Sequence, residues 1–151
     1  MLTFKTSGRA GIIGNPSDGY GGAVLSCGIK NKATVTIKPA RELIVTNRFG
    51  SRSLKHEEDF ENQGDYFDHF RVVLRYFELF DLQAKISVST SIPEQAGLAG
   101  STAALAALIK TVMSYTGREE HVPNAVEFPW RRITLFLNQF LPYPNVRHIF
   151  L

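Results

Sequence analysis

The residues most able to do chemistry run from Pro93 to Ala103, as Pro-Glu-Gln-Ala-Gly-Leu-Ala-Gly-Ser-Thr-Ala. Gly97 and Gly100 allow a tight turn and a close approach of backbone to a ligand. Ser101 and Thr102 follow at the head of an apolar run. A helix starting there presents N–H groups without intrahelical partners and the positive end of its dipole, an arrangement that attracts phosphate. Ser101 would cap that helix or bond a phosphate oxygen, and Thr102 would offer its hydroxyl to a phosphate-bound magnesium. The run is not a G-x-x-x-x-G-K-[ST] loop, because Gly100 and not a lysine precedes Ser101. On the glycines alone, a capped helix that binds nothing reads equally well.

The flanking elements would place this loop between a strand and a buried helix. Ala84, Ile86 and Val88 alternate with Lys85, Ser87 and Ser89, and the pattern stops at Ser91-Ile92-Pro93, where proline removes a ladder donor. From Ala103 to Tyr115 the only charge is Lys110, so the helix expected there needs cover on most sides, and Gly117 is placed to end it. Upstream, residues 33–38 alternate with period two and residues 42–46 are rich in β-branched types, so residues 1–50 read as strands and turns. Tyr66, Phe70, Val73, Phe77 and Phe80 line one face of a helix expected over 65–80, with Asp68, His69, Arg71, Arg75 and Glu78 largely opposite and His69 read as a surface histidine.

Composition bounds the class. With 151 residues, 44% hydrophobic and 21% charged, the chain is of globular type and long enough for a real core. The net charge of +3 is scattered, which argues against nucleic acid or membrane partners. The acidic residues Glu57, Glu58, Asp59, Glu61, Asp65 and Asp68 read as a solvated loop entering a helix. Cys27 is the only cysteine, which excludes an internal disulfide; a packing role and a reducing, cytoplasmic setting are expected. Residues 118–151 hold at most one more helix, roughly 129–140, and then lose any pattern at Leu141-Pro142-Tyr143-Pro144.

Residues 93–104, PEQAGLAGSTAA, resemble the P-x-x-x-G-L-G-S-S-A-A phosphate motif of the GHMP kinases, the galactokinase, homoserine kinase, mevalonate kinase and phosphomevalonate kinase superfamily. Ala99 stands where that motif has glycine, and Thr102 keeps the hydroxyl of a serine. A second run, Ser7-Gly8-Arg9-Ala10-Gly11-Ile12-Ile13-Gly14-Asn15-Pro16-Ser17-Asp18, resembles the N-terminal substrate motif, and its GNPSD-x-YGG form is most similar to glucuronokinases and related sugar-1-kinases.

The resemblance implies an α+β fold, a sheet packed on helices, ribosomal protein S5 domain 2-like. It places an N-terminal, ATP-binding GHMP kinase domain at residues 1–117 and a divergent or truncated tail at 118–151. It implies an ATP- and Mg2+-dependent phosphotransferase acting on a sugar or sugar acid. Arg9 would then lie near the transferred phosphate, Asn15 and Asp18 on substrate, and Pro93, Gly97, Leu98, Ala99, Gly100, Ser101 and Thr102 on nucleotide, with Thr102 also on the metal. Without the resemblance, Arg9 reads as a strand arginine paired with a surface carboxylate and Asp18 as an ordinary turn residue. Asn15 and Pro16 replace the galactokinases' glutamate and histidine, against galactose as substrate. No aspartate follows Asp81, so the family's G-L-Q-D-R-like base segment has no match in 118–151. The alternative is an inactive nucleotide-binding or structural fragment of the family. RNA binding through such a fold is weaker, for want of clustered basic residues with aromatics. The apolar helix at 103–115 would need cover, which Val126, Phe128, Trp130, Ile133, Leu135, Phe136 and Phe140 of the tail could supply, or else self-association.

Overall fold

Hydrophobic alternation along three strands dictates a sheet with one apolar face. The computed structural model describes residues 1–14 and 23–118. In chain order it contains β1 (Leu2–Ile13), β2 (Leu25–Pro39), β3 (Ile44–Asn47), β4 (Gly50–Ser53), a 3₁₀ turn at Glu57–Phe60, α1 (Asp68–Tyr76), β5 (Ala84–Thr90) and α2 (Gly100–Tyr115). The strands form one sheet in the order β1-β2-β5-β3-β4. All neighbours are antiparallel except β3 and β5, which are parallel and joined through α1.

Register puts like residues together on each face. Val35 stands opposite Val88, and Ile37 and Val45 both flank Ile86. Ala33, Val35, Ile37, Val45, Ala84 and Ile86 are wholly buried. The opposite face carries a row of hydroxyls across all five strands, Thr3, Thr36, Ser87, Thr46 and Ser51, in register. Thr3 and Thr36 share a hydrogen bond of 3.0 Å, and Thr46 and Ser51 one of 2.9 Å. The apolar face is covered by α2, which buries Ala103, Leu105, Ala107, Leu108, Ile109 and Val112. The expected helix therefore forms, one turn longer at its start than its apolar run suggested. It ends as expected: Gly117 takes φ +68, and the Arg118 N–H donates to the Met113 carbonyl at 3.0 Å, the glycine closure of a helix C-terminus.

Four expectations are corrected. The helix expected over 65–80 spans only Asp68–Tyr76, because Glu78 turns left-handed at φ 53 and the Leu79 N–H closes back on the Leu74 carbonyl at 2.9 Å. Cys27 is exposed, not packed: it lies in the part of β2 beyond the segment paired with β5, which covers only Ala33–Pro39. Asp68 and Arg71, placed on the outer face of α1 by periodicity, are buried at 3% and 2% exposure. The reason is that the acidic segment before α1 folds back over it.

There every Arg71 N–H finds an acceptor. Nε donates to the Asp59 carbonyl at 3.0 Å, Nη1 to Asp65 Oδ1 at 2.5 Å and Asp68 Oδ1 at 2.6 Å, and Nη2 to Gln63 Oε1 at 3.1 Å and Asp65 Oδ2 at 3.2 Å. Burial works to raise the Asp65 carboxyl, but Arg71 and the Phe67 N–H outweigh it and hold it below the usual carboxylate range. Replacing Arg71 with alanine would strand the buried Asp68 carboxylate, and a loss of about 3–5 kcal/mol is expected by urea denaturation. His69, expected at the surface, is half-buried, and burial pushes its imidazole below its ordinary value despite Asp68. Below about pH 6.5 the unfolded chain therefore takes up a proton at His69 that the folded chain resists, so stability falls as pH falls. Denaturation midpoints measured from pH 7.5 to 5 should drop in the wild type and drop less in His69→Gln.

Candidate functional site

The loop after β5 is held at both ends before it meets α2. At the strand end, the Ser91 N–H donates to the Lys32 carbonyl at 3.0 Å, the Lys32 N–H to Ser91 Oγ at 3.0 Å, and Asn31 Nδ2 to the Ser91 carbonyl at 2.6 Å. Beneath the loop lies a second small core of Ala33, Ile92 and Ala103, against which Ile29, Leu98 and Ala104 pack. Pro93, Glu94, Gln95, Ala96 and Gly97 are exposed above it, and Glu94 pairs with Arg48 of the β3–β4 turn.

The helix start differs from expectation. Of the two roles open to Ser101, capping α2 is excluded: the cap position is Ala99, at φ 55 and ψ 37, and no side chain caps the helix. Ser101 lies further in, within the first turn, and is exposed, and Thr102 is half-buried beside it. The physical cause is the left-handed turn itself: Ala99 reverses the chain and its carbonyl accepts the first helical bond, from the Ala103 N–H at 2.9 Å. The result is an uncapped helix N-terminus preceded by Gly97 at φ +68 and Gln95 at φ 53.

The two motifs of the sequence meet at one bond. The Arg9 N–H donates to the Leu98 carbonyl at 3.0 Å. It is available because β1 and β2 lose register here: Ser7 pairs with Lys32 and Arg9 with Gly28, so three residues of β2 stand opposite the single Gly8. A Cβ on Gly8 would lie 2.8 Å from the Leu98 carbonyl oxygen and 2.9 Å from Ile29 Cδ1, and the residue is buried. Neither Gly8 nor Arg48 was singled out from sequence; a glycine within a strand is the one available sign of such a close approach. Asn15 and Asp18 lie outside the described residues, as does all of the tail beyond Arg118. Among the described residues no group of three His, Cys, Asp or Glu side chains could hold a metal by itself.

An edge strand, a left-handed turn bearing Gly97 and a helix without a side-chain cap, set on a sheet of this order, define a class of α+β domain. Known proteins share it. Residues 68–127 match the family described as GHMP kinases N terminal domain. Glucuronokinase 1 of Arabidopsis thaliana is 28% identical over 133 residues, covering 76% of this chain and 36% of that protein. The mevalonate kinase of Methanococcus jannaschii superposes with a TM-score of 0.71 at 20% identity, over 93% of this chain and 47% of its own. A D-glycero-D-manno-heptose 1-phosphate kinase from Bacteriodes thetaiotaomicron does so with 0.73 at 18% identity, over 92% and 48%. The fold is that of the GHMP kinase N-terminal domain, and the chain spans about a third to a half of the length of these proteins.

A non-glycine residue in the left-handed region costs roughly 1–2 kcal/mol. Ala99→Gly should therefore raise stability by about 1 kcal/mol in urea denaturation, the greater freedom of glycine in the unfolded chain offsetting part of the gain.

Proposed function

We propose that this chain is the nucleotide-binding part of an ATP- and Mg2+-dependent sugar or sugar-acid kinase of glucuronokinase-like type, working in the cytoplasm. The likeness to an Arabidopsis glucuronokinase supports the substrate class, and the GNPSD-x-YGG run supports it from the sequence. ATP supplies a γ-phosphoryl group for transfer to a substrate hydroxyl. The chain supplies position and charge, which dominate such reactions.

The motif resemblance supports an assignment of parts. The amides at the head of α2 and Ser101 would bind the phosphates, Thr102 would face the metal with its hydroxyl, and Pro93, Gly97, Leu98 and Ala99 would shape the cradle. Arg9, with its permanent charge and fork of donors, would neutralise charge developing on the transferred group. Asn15 and Asp18 would bind sugar hydroxyls. The residues fit an anion: the helix end carries no side-chain cap, and around Gly97 an added Cβ would meet nothing within 4 Å.

The single observation that carries the reading is Gly100. A methyl there would rest against Ile92 Cγ2 at 3.4 Å, an ordinary contact, and the position is helical. The fold alone gives no reason for glycine; close approach of a phosphate does. Gly100→Ala should leave stability unchanged or higher while weakening Mg-ATP at least tenfold. Amide shifts of the wild type should localise to residues 97–102 on titration with Mg-ATP. No localised shift at millimolar nucleotide, or undiminished binding by Gly100→Ala, would sink the proposal.

A further inference from the structure

We infer that Gly8 is a positioning residue that ties the phosphate loop to the strand bearing Arg9, so that the two halves of the site move as one. The inference rests on the phosphate reading of the loop for its functional consequence, though not for its geometry. Gly8 is buried where β1 passes under the loop, and its missing side chain is what admits the Leu98 carbonyl to within 2.8 Å of the Cβ position. The next residue's N–H then bonds that same carbonyl at 3.0 Å. Leu98 immediately precedes Ala99, the left-handed residue that sets the direction of α2. A displacement of Leu98 is therefore passed directly to the amides at the helix start. Loop position and Arg9 position share one hydrogen bond and one steric contact.

Two neighbours crowd the Gly8 Cβ position, and they make opposite predictions. Ile29 approaches with the flexible end of a side chain, at 2.9 Å and 3.1 Å; Leu98 approaches with backbone, which has no rotamer to change. Truncating Ile29 relieves the first contact and leaves the second. If Gly8 matters only for packing, Gly8→Ala combined with Ile29→Ala should behave like Ile29→Ala. If it positions the loop, the defect should persist.

The test compares the wild type with Gly8→Ala, Ile29→Ala and the double variant. Ligand-free amide hydrogen exchange at Arg9 should quicken about tenfold in Gly8→Ala and in the double variant, while Lys5 further up the strand is unchanged. Mg-ATP affinity should fall at least tenfold in both, with Ile29→Ala alone within twofold of the wild type. The double variant should lose much less thermal stability than the sum of the single losses, and still fail to recover affinity. Recovery of affinity and of slow Arg9 exchange in the double variant would overturn the inference in favour of packing against Ile29. If Gly8→Ala does not fold, the wild type alone decides: Mg-ATP that protects residues 97–102 should also slow exchange at Arg9, and an unaffected Arg9 amide would overturn the coupling. A wild type that binds no Mg-ATP would defeat the phosphate reading, while ligand-free exchange in Ile29→Ala and the double variant would still judge the clip.

Discussion

The hydrogen bond from the Arg9 N–H to the Leu98 carbonyl is the constraint on which the site depends. An edge strand offers half its backbone groups to whatever lies beside it. Here the irregular pairing with β2 frees one such group, and the loop after β5 takes it through the Leu98 carbonyl. Without that bond the loop would be fixed at Ser91, by the exposed Glu94–Arg48 pair and through the small core of Ala33, Ile92 and Ala103. With it, a segment from the start of the chain and one from the end of the described region form a single local structure. The loop's outer residues stay exposed, so its order comes from below and from the side.

Two other features make the scaffold rigid enough for that bond to matter. α2 is buried along most of its length on the sheet, which fixes the axis whose N-terminus closes the site. α1 is locked to the preceding segment by Arg71, whose donors are all used within the chain. A buried ion pair is weak evidence for net stability, since desolvation opposes attraction, but it specifies geometry strongly because each donor accepts few alternatives. The left-handed Ala99 works the other way, as stored strain at the cap of α2. It persists because Leu98, one residue earlier, and Ala103, one turn later, are both anchored.

Much of the fold was legible in the sequence, for identifiable reasons. Period-two patterns at Ala33–Ile37 and Ala84–Val88 reported strands because one face of the sheet is buried and the other is not. The apolar run after Ala103 reported a buried helix, and Gly117 its end. The motif glycines located the loop. What failed was periodicity where charge is buried: Asp68 and Arg71 pair inside, and no count of apolar spacing reveals that. Glu78 ended α1 in a conformation that its residue type does not advertise. Ser101 looked like a cap because serine favours that position, but a left-handed Ala99 had already taken it. The contact of Gly8 with Leu98 joins residues far apart in the chain, and only the strand crossing under the loop brings them together.

The most direct measurement is a crystal structure of the chain with a non-hydrolysable ATP analogue and magnesium. Phosphate oxygens are expected within hydrogen-bond reach, about 2.7–3.2 Å, of the amides of Gly100 and Ser101, with the Arg9–Leu98 bond retained and Ala99 still left-handed. A triphosphate bound elsewhere, or one bound at the helix start only after the loop has parted from β1, would contradict the central claim that strand and loop form one preassembled phosphate site.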